Sequence, residues 1–217
     1  MDRSFPLLLL ALGLNSAPTT AVAAAPDPGL AAISLVQSWH DEGTPNGQCG
    51  GRMGEFATPF GSHSEAIKFD TDNREGGCVY RLAIVDPQGA LAAIGWQLHV
   101  VFTPQGHIGQ CKYPGSRAVP VVRAIADVAE SWTGADWVNP IIVDTDDRVG
   151  GCVMEFQITG PETARSPVLD IRFMPDGDPG QCPQSGDKTA SLGHPAAMII
   201  DTDNRPGGCF FQMRLRE

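Results

Sequence analysis

Three short segments carry the same charged side chains in the same order. Asp70-Thr71-Asp72-Asn73-Arg74-Glu75-Gly76-Gly77-Cys78 returns as Asp144-Thr145-Asp146-Asp147-Arg148-Val149-Gly150-Gly151-Cys152, and again as Asp201-Thr202-Asp203-Asn204-Arg205-Pro206-Gly207-Gly208-Cys209. Two carboxylates two positions apart, an amide or third carboxylate, and a guanidinium admit three kinds of chemistry. The oxygens could hold calcium, which takes about six to eight oxygen ligands. The guanidinium could pair with a carboxylate across the turn and lock it without any ligand. Carboxylate and guanidinium together could hydrogen-bond a sugar or a peptide. Asp70, Asp72, Arg74, Asp144, Asp146, Arg148, Asp201, Asp203 and Arg205 are therefore the candidate ligand-binding residues.

The segment is not an EF-hand. That loop needs glycine at its sixth position and a bidentate glutamate at its twelfth. Counted from the first Asp, those places hold Glu75 and Arg81, then Val149 and Glu155, then Pro206 and Gln212. The arginine shared by all copies also argues against a simple cation site, so a turn lock is the leading reading of the motif. Calcium is the one cofactor the set could take; otherwise none is expected. His63 and His194 each lie seven residues before the first Asp, where the second copy has Trp137. A His/Asp pair could bind metal or relay a proton, but a loop histidine in chance register explains two examples as well.

Catalytic signatures are missing: there is no His-Glu-x-x-His, Gly-x-Ser-x-Gly or Gly-x-x-x-x-Gly-Lys. Three equal active sites would be unusual, whereas repetition serves a multivalent binder through avidity. No enzyme activity is expected.

The elements that must position these residues repeat as well. Gly47-Gln48-Cys49, Gly109-Gln110-Cys111 and Gly180-Gln181-Cys182 precede the three motifs. A period of several tens of residues means one supersecondary unit used repeatedly. Each unit opens on a strand-like stretch, with alternation clear in Leu98, Val100, Phe102 and in Leu169, Ile171, Phe173. The counterpart around Ile33–His40 matches poorly, as an end unit often does. A second strand precedes the motif at 66–69, 140–143 and 197–200. A third begins at its cysteine, with Tyr80, Leu82, Ile84 on one face, then Met154, Phe156, Ile158, then Phe211, Met213, Leu215.

The expected fold is therefore all-β. Three internal repeats, each a strand, a stapled loop and a β-hairpin, form one pseudo-threefold domain that is prism-like or trefoil-like, or else a sandwich. The repeats run over about 31–86, 90–160 and 165–217 of a domain spanning 24–217. Between the cysteines of the second repeat, Val121, Ile125, Val128 and Trp132 follow helical spacing after Pro120 and predict one short inserted helix.

Residues 1–23 read as a secretory signal, with Arg3, a short apolar run at Leu7–Leu14, and small residues around Ala21-Val22-Ala23. No other apolar run is long enough to span a membrane. Export permits disulfides, and the chain has 6 cysteines. Six allow about fifteen pairings, but equivalent units should be stapled equivalently, which selects Cys49–Cys78, Cys111–Cys152 and Cys182–Cys209. A net charge of −10 argues against nucleic acid and against anionic lipid. The expectation is a secreted or periplasmic, non-enzymatic binding protein whose partner is an extracellular glycan or protein. The alternatives are an inhibitor of a protease or hydrolase, inserting a stapled loop such as Cys182–Met198, and a structural envelope or matrix component.

Overall fold

The computed structural model describes residues 27–43, 49–70, 76–144, 150–161, 166–201 and 207–217. The expected signal segment lies outside the described residues. Within them the chain is mostly β-sheet, in three sheets that are antiparallel apart from one two-residue parallel ladder. Helix is confined to short turns, the α-helices being α1 (Pro28–Ala31), α2 (Ala90–Ala93) and α3 (Val128–Ser131). None of the described helices is long and apolar enough to cross a membrane.

The first repeat supplies β1 (Ser34–Asp41), β2 (Cys49–Gly50), β3 (Gly54–Pro59), β4 (Ile67–Phe69) and β5 (Cys78–Val85). The second supplies β6 (Gln97–Gly106), β7 (Cys111–Lys112), β8 (Gly115–Ala118), β9 (Val121–Val122), β10 (Ile141–Val143) and β11 (Gly150–Thr159). The third supplies β12 (Val168–Gly177), β13 (Gly186–Ala190), β14 (Ala196–Ile200) and β15 (Gly207–Arg216). The poorly patterned opening stretch of the first repeat is a full strand, its Leu35 paired with Ile84 and its Trp39 with Tyr80.

The strand partners depart from the expected hairpins. Strands β4 and β5 do not pair; nor do β10 and β11. Each sheet takes a core of three strands from one repeat and its remaining antiparallel strands from another. The orders are β3-β1-β5-β10-β7, β8-β6-β11-β14 and β13-β12-β15-β4-β2. Thus Ile141 lies opposite Tyr80, Met198 opposite Met154, and Ile67 opposite Phe211. The motif carries the chain out of one sheet and into the next. The physical reason lies in the spacing: a tight two-residue turn dictates a hairpin register, but β4 ends at Phe69 and β5 begins only at Cys78, so no such turn forces the two to pair.

The inward face is buried in all three copies, but burial alternates only in β11 and β15; in β5 the expected outward residue Ala83 is buried as well, because the insertion covers that face. Tyr80, Leu82, Ile84, Met154, Phe156, Ile158, Phe211, Met213 and Leu215 are all buried, in one continuous cluster. Phe69 links two repeats there. Its ring meets Trp39 edge-on at 4.5 Å and stacks on Phe211 at 5.6 Å. Burial pushes the Tyr80 phenol up in pKa, and its oxygen accepts a hydrogen bond from Gln37 Nε2 at 3.1 Å.

The inserted helix is shorter than its periodicity predicts. Val121 begins β9, which runs parallel to β5, and the helical turns cover only Ile125–Asp127 and Val128–Ser131. Val121 and Ile125 are exposed, while Val128 and Trp132 are buried. The edge of β5 decides this: its Ile84 N–H donates to the carbonyl of Pro120, so the chain is extended there instead of coiled. Further along the same edge, the Trp132 indole donates to the Leu82 carbonyl at 3.1 Å.

Candidate functional site

The described part of the repeated motif is a joint. Its first glycine takes a left-handed backbone, with φ of 97° at Gly76, 103° at Gly150 and 104° at Gly207. Its second glycine lies against the backbone of another repeat. A β-carbon on Gly77, Gly151 or Gly208 would overlap the carbonyl of Val143, Ile200 or Phe69 respectively. Those three carbonyls immediately precede Asp144, Asp201 and Asp70. The Gly-Gly pair therefore recurs because strands cross there at a separation no side chain permits.

The disulfides lie beside the same joints. Cys49–Cys78, Cys111–Cys152 and Cys182–Cys209 are all formed. Cys49 sits on the strand lent to the third sheet while Cys78 belongs to the first. Cys111 sits on the strand lent to the first sheet while Cys152 belongs to the second. These bridges join cysteines of one repeat but fasten two sheets. Three disulfides are consistent with an oxidising compartment.

Of the candidate ligand-binding residues, Asp70, Asp144 and Asp201 are described. Asp72, Arg74, Asp146, Arg148, Asp203 and Arg205 lie outside the described residues. The backbone N–H groups of Asp144 and Asp201 donate to the carbonyls of Gln110 and Gln181, each at 2.9 Å. Lys68 pairs with Asp70 at 3.3 Å and with Asp176 at 2.7 Å. Lys112 pairs with Asp144 at 3.1 Å and with Glu42 at 2.6 Å. Partial burial works against the charge of both lysines, but their carboxylate hydrogen bonds outweigh it and raise their pKa values.

Among the described residues one group, Asp41, Cys49 and Cys78, has metal-ligand spacing. Its cysteines form a disulfide, so they offer no thiolates. Its aspartate accepts a hydrogen bond from the Cys49 N–H at 2.9 Å. Trp137, in register with the two histidines, is buried and donates its indole N–H to the Ala118 carbonyl at 2.7 Å. His194 belongs to a tight backbone turn with Ser191.

Among the described residues, two of the clefts are lined mainly by polar side chains. The first, about 360 Å³, lies on the second repeat between the turn after Cys111 and the end of the insertion. Tyr113, Ser116, Arg117, Asp136 and Asn139 line it. Tyr113 holds a left-handed backbone, φ 57°, with its ring half exposed. Arg117 is 5% exposed and fastens both walls, donating from Nε to the Asn139 carbonyl at 3.0 Å and from Nη2 to the Tyr113 carbonyl. Its Nη1 is buried without a hydrogen-bond partner. Burial lowers the pKa of this guanidinium, with Asp136 acting the other way.

The second cleft, about 340 Å³, lies on the third sheet. His63, Asp170, Arg172, Asp187, Lys188 and Arg214 contribute to its lining. Asp170 accepts from Arg214 Nη2 at 2.6 Å, Arg216 Nε at 2.6 Å and Thr189 Oγ1 at 2.8 Å. Burial alone would raise this carboxyl, but those donors hold it down at about 2.

Sequence reasoning missed both clefts. Each had a faint signal. Tyr113 stands two residues after its cysteine, where the other repeats have Gly51 and Gln184, and all three take positive φ. Arg214 and Arg216 occupy the outward positions of the best-patterned strand. No protein-family model, no curated protein and no solved structure matches this chain.

Proposed function

We propose that the chain is an exported, non-enzymatic binding protein whose ligand is a glycan or cell-surface polymer. The cleft around Tyr113 carries this reading. A sugar presents an apolar C–H face together with several hydroxyls. The exposed Tyr113 ring offers a stacking surface for the face. Asp136, Asn139 and Ser116 offer acceptors and donors for the hydroxyls. The left-handed turn recurs at Gly51 and Gln184 and so belongs to the repeat; what the second copy adds is the bond from Arg117 to the Tyr113 carbonyl, which holds the backbone that carries the ring. The inhibitor reading has less support, because residues 186–190 and 196–198 of its proposed loop lie in sheet strands.

We also infer that the three repeats close into one pseudo-threefold, prism-like domain. The support is the direction of strand lending: the second repeat lends to the first, the third to the second, and the first to the third. The glycine joints follow the same circuit.

Glycan-array screening of the mature protein, with Tyr113→Ala beside it, tests the function. Wild type should bind a subset of glycans, and the variant should lose at least tenfold in affinity at an unchanged melting temperature. Absence of any glycan binding by wild type, or equal binding by both proteins, would overturn the reading.

A further inference from the structure

We propose that the Tyr113 cleft is one half of a longer trough, which holds an internal stretch of a linear, neutral polysaccharide. The proposal rests on the glycan reading above and adds the ligand's length and charge.

Another cleft, of about 420 Å³, adjoins the first; Gln97, Pro120, Val121, Ser131, Gly134 and Trp137 contribute to its lining. Ala135 and Asp136 line both clefts. Both lie between the same two stretches of chain. One is 113–121, from the turn after Cys111 through β8 to β9; the other is 131–139, the end of the insertion. Two hydrogen bonds tie these stretches together, one in each cleft. Trp137 Nε1 donates to the Ala118 carbonyl at 2.7 Å, and Arg117 Nε donates to the Asn139 carbonyl at 3.0 Å. Trp137 and Arg117 are buried, so they form a floor and leave the trough clear. The walls keep their spacing without a ligand, which lowers the cost of binding one.

The polar groups along the trough suit a chain of hydroxyls. The Val119 N–H donates to the Leu98 carbonyl. By the alternation of an antiparallel ladder, the backbone groups of Ser116 then point away from β6, toward the free edge of β8. Gln97 and Asp136 are exposed, and among the described residues their side chains make no hydrogen bond or ion pair. Exposed residues mark both ends of the trough, Tyr113 and Pro114 at one and Val121 and Gly134 at the other. An open-ended trough takes the middle of a chain, whereas a closed pocket takes its end. Charge then narrows the class. Asp136 stands where the clefts meet, and the whole chain carries −10. Arg117, the one cation in either lining, is buried and gives Nε and Nη2 to backbone carbonyls. An acidic sugar would meet a carboxylate with no cation available to it, while a neutral one can donate hydroxyl hydrogens to Asp136.

The test measures binding of the mature protein to cello-, manno- and chito-oligosaccharides, each as disaccharide, tetrasaccharide and hexasaccharide, with oligogalacturonate as the acidic control. In at least one neutral series the tetrasaccharide should bind about tenfold tighter than the disaccharide, because only the longer chain fills both clefts and adds hydrogen bonds there. Gln97→Ala and Gly134→Leu should each remove most of that gain and leave disaccharide binding and the melting temperature unchanged. Position 134 has room for a β-carbon, the nearest atom being the Ser131 carbonyl oxygen at 3.5 Å. Tyr113→Ala should weaken binding at every length. Oligogalacturonate should bind more weakly than the neutral chain, and Asp136→Asn should narrow that gap. Equal affinity for disaccharide and tetrasaccharide in every series, or an undiminished gain in both Gln97→Ala and Gly134→Leu, would overturn the trough and leave the glycan reading standing. Preference for oligogalacturonate would overturn the neutral ligand. Failure of every neutral oligosaccharide to bind would overturn the trough, and the glycan reading would then stand or fall by the array.

Discussion

The outward positions of β5 and β15 are equivalent in the repeat but have opposite surroundings. After the cysteine, Ala83 and Val85 of β5 correspond to Arg214 and Arg216 of β15. Ala83 and Val85 are buried, packed in one cluster with Val128 and Trp132 of the insertion. Arg214 and Arg216 stay partly exposed around Asp170. The inward residues of the two strands meanwhile remain interchangeable in kind. The repeat thus conserves a core by its inner face, and each copy spends its outer face differently: one to seat an insertion, another to display charge.

That comparison can be broken at four places. The shared inner face should carry the largest effect. Phe156→Ala and Phe211→Ala should each cost about 3–5 kcal/mol in a urea titration, because both rings are fully buried. A loss below 1 kcal/mol at either would show that the inner faces are not equivalent. Next comes the covered outer face. Trp132→Ala should cost roughly 3 kcal/mol, by removing a buried ring and orphaning the Leu82 carbonyl it bonds.

The charged outer face should respond to acid instead. The Asp170 pKa lies at about 2, below its ordinary value of 3.8. Its contribution, roughly 2 kcal/mol, is therefore fully present above the ordinary value and is lost as pH falls through about 2. Stability measured at pH 5 and pH 2 should fall more for wild type than for Asp170→Asn by that amount; equal falls would show the network to be unimportant. The smallest effect belongs to the second repeat, where Glu155 faces outward, half-buried, with neither insertion nor ion pair among the described residues. Glu155→Ala should stay within about half a kcal/mol by the same titration.

The candidate ligand-binding motif illustrates how far local pattern reaches. Its glycines and cysteines were legible, and their reason is now physical: carbonyls of another repeat sit where a β-carbon would be. Its leading reading as a turn lock is not tested by the described residues, which exclude its arginines. Strands β3, β8 and β13 were not legible. Gly54–Pro59, Gly115–Ala118 and Gly186–Ala190 are short, polar outer strands with one neighbour each, so no alternation marks them.

The sequence alone determined the disulfide pairs, the positions of the patterned inner strands and their inward faces. All three follow from information held within one repeat: period-two burial and the equivalence of like units. Tertiary structure decided which strands pair and which side chains meet in a cleft. Ile67 joins Phe211, and His63 joins Asp170 and Arg214, across more than a hundred residues of chain. A strand's hydrogen-bonding edge is the same whatever its neighbour, so only the packing of the whole core selects the partner.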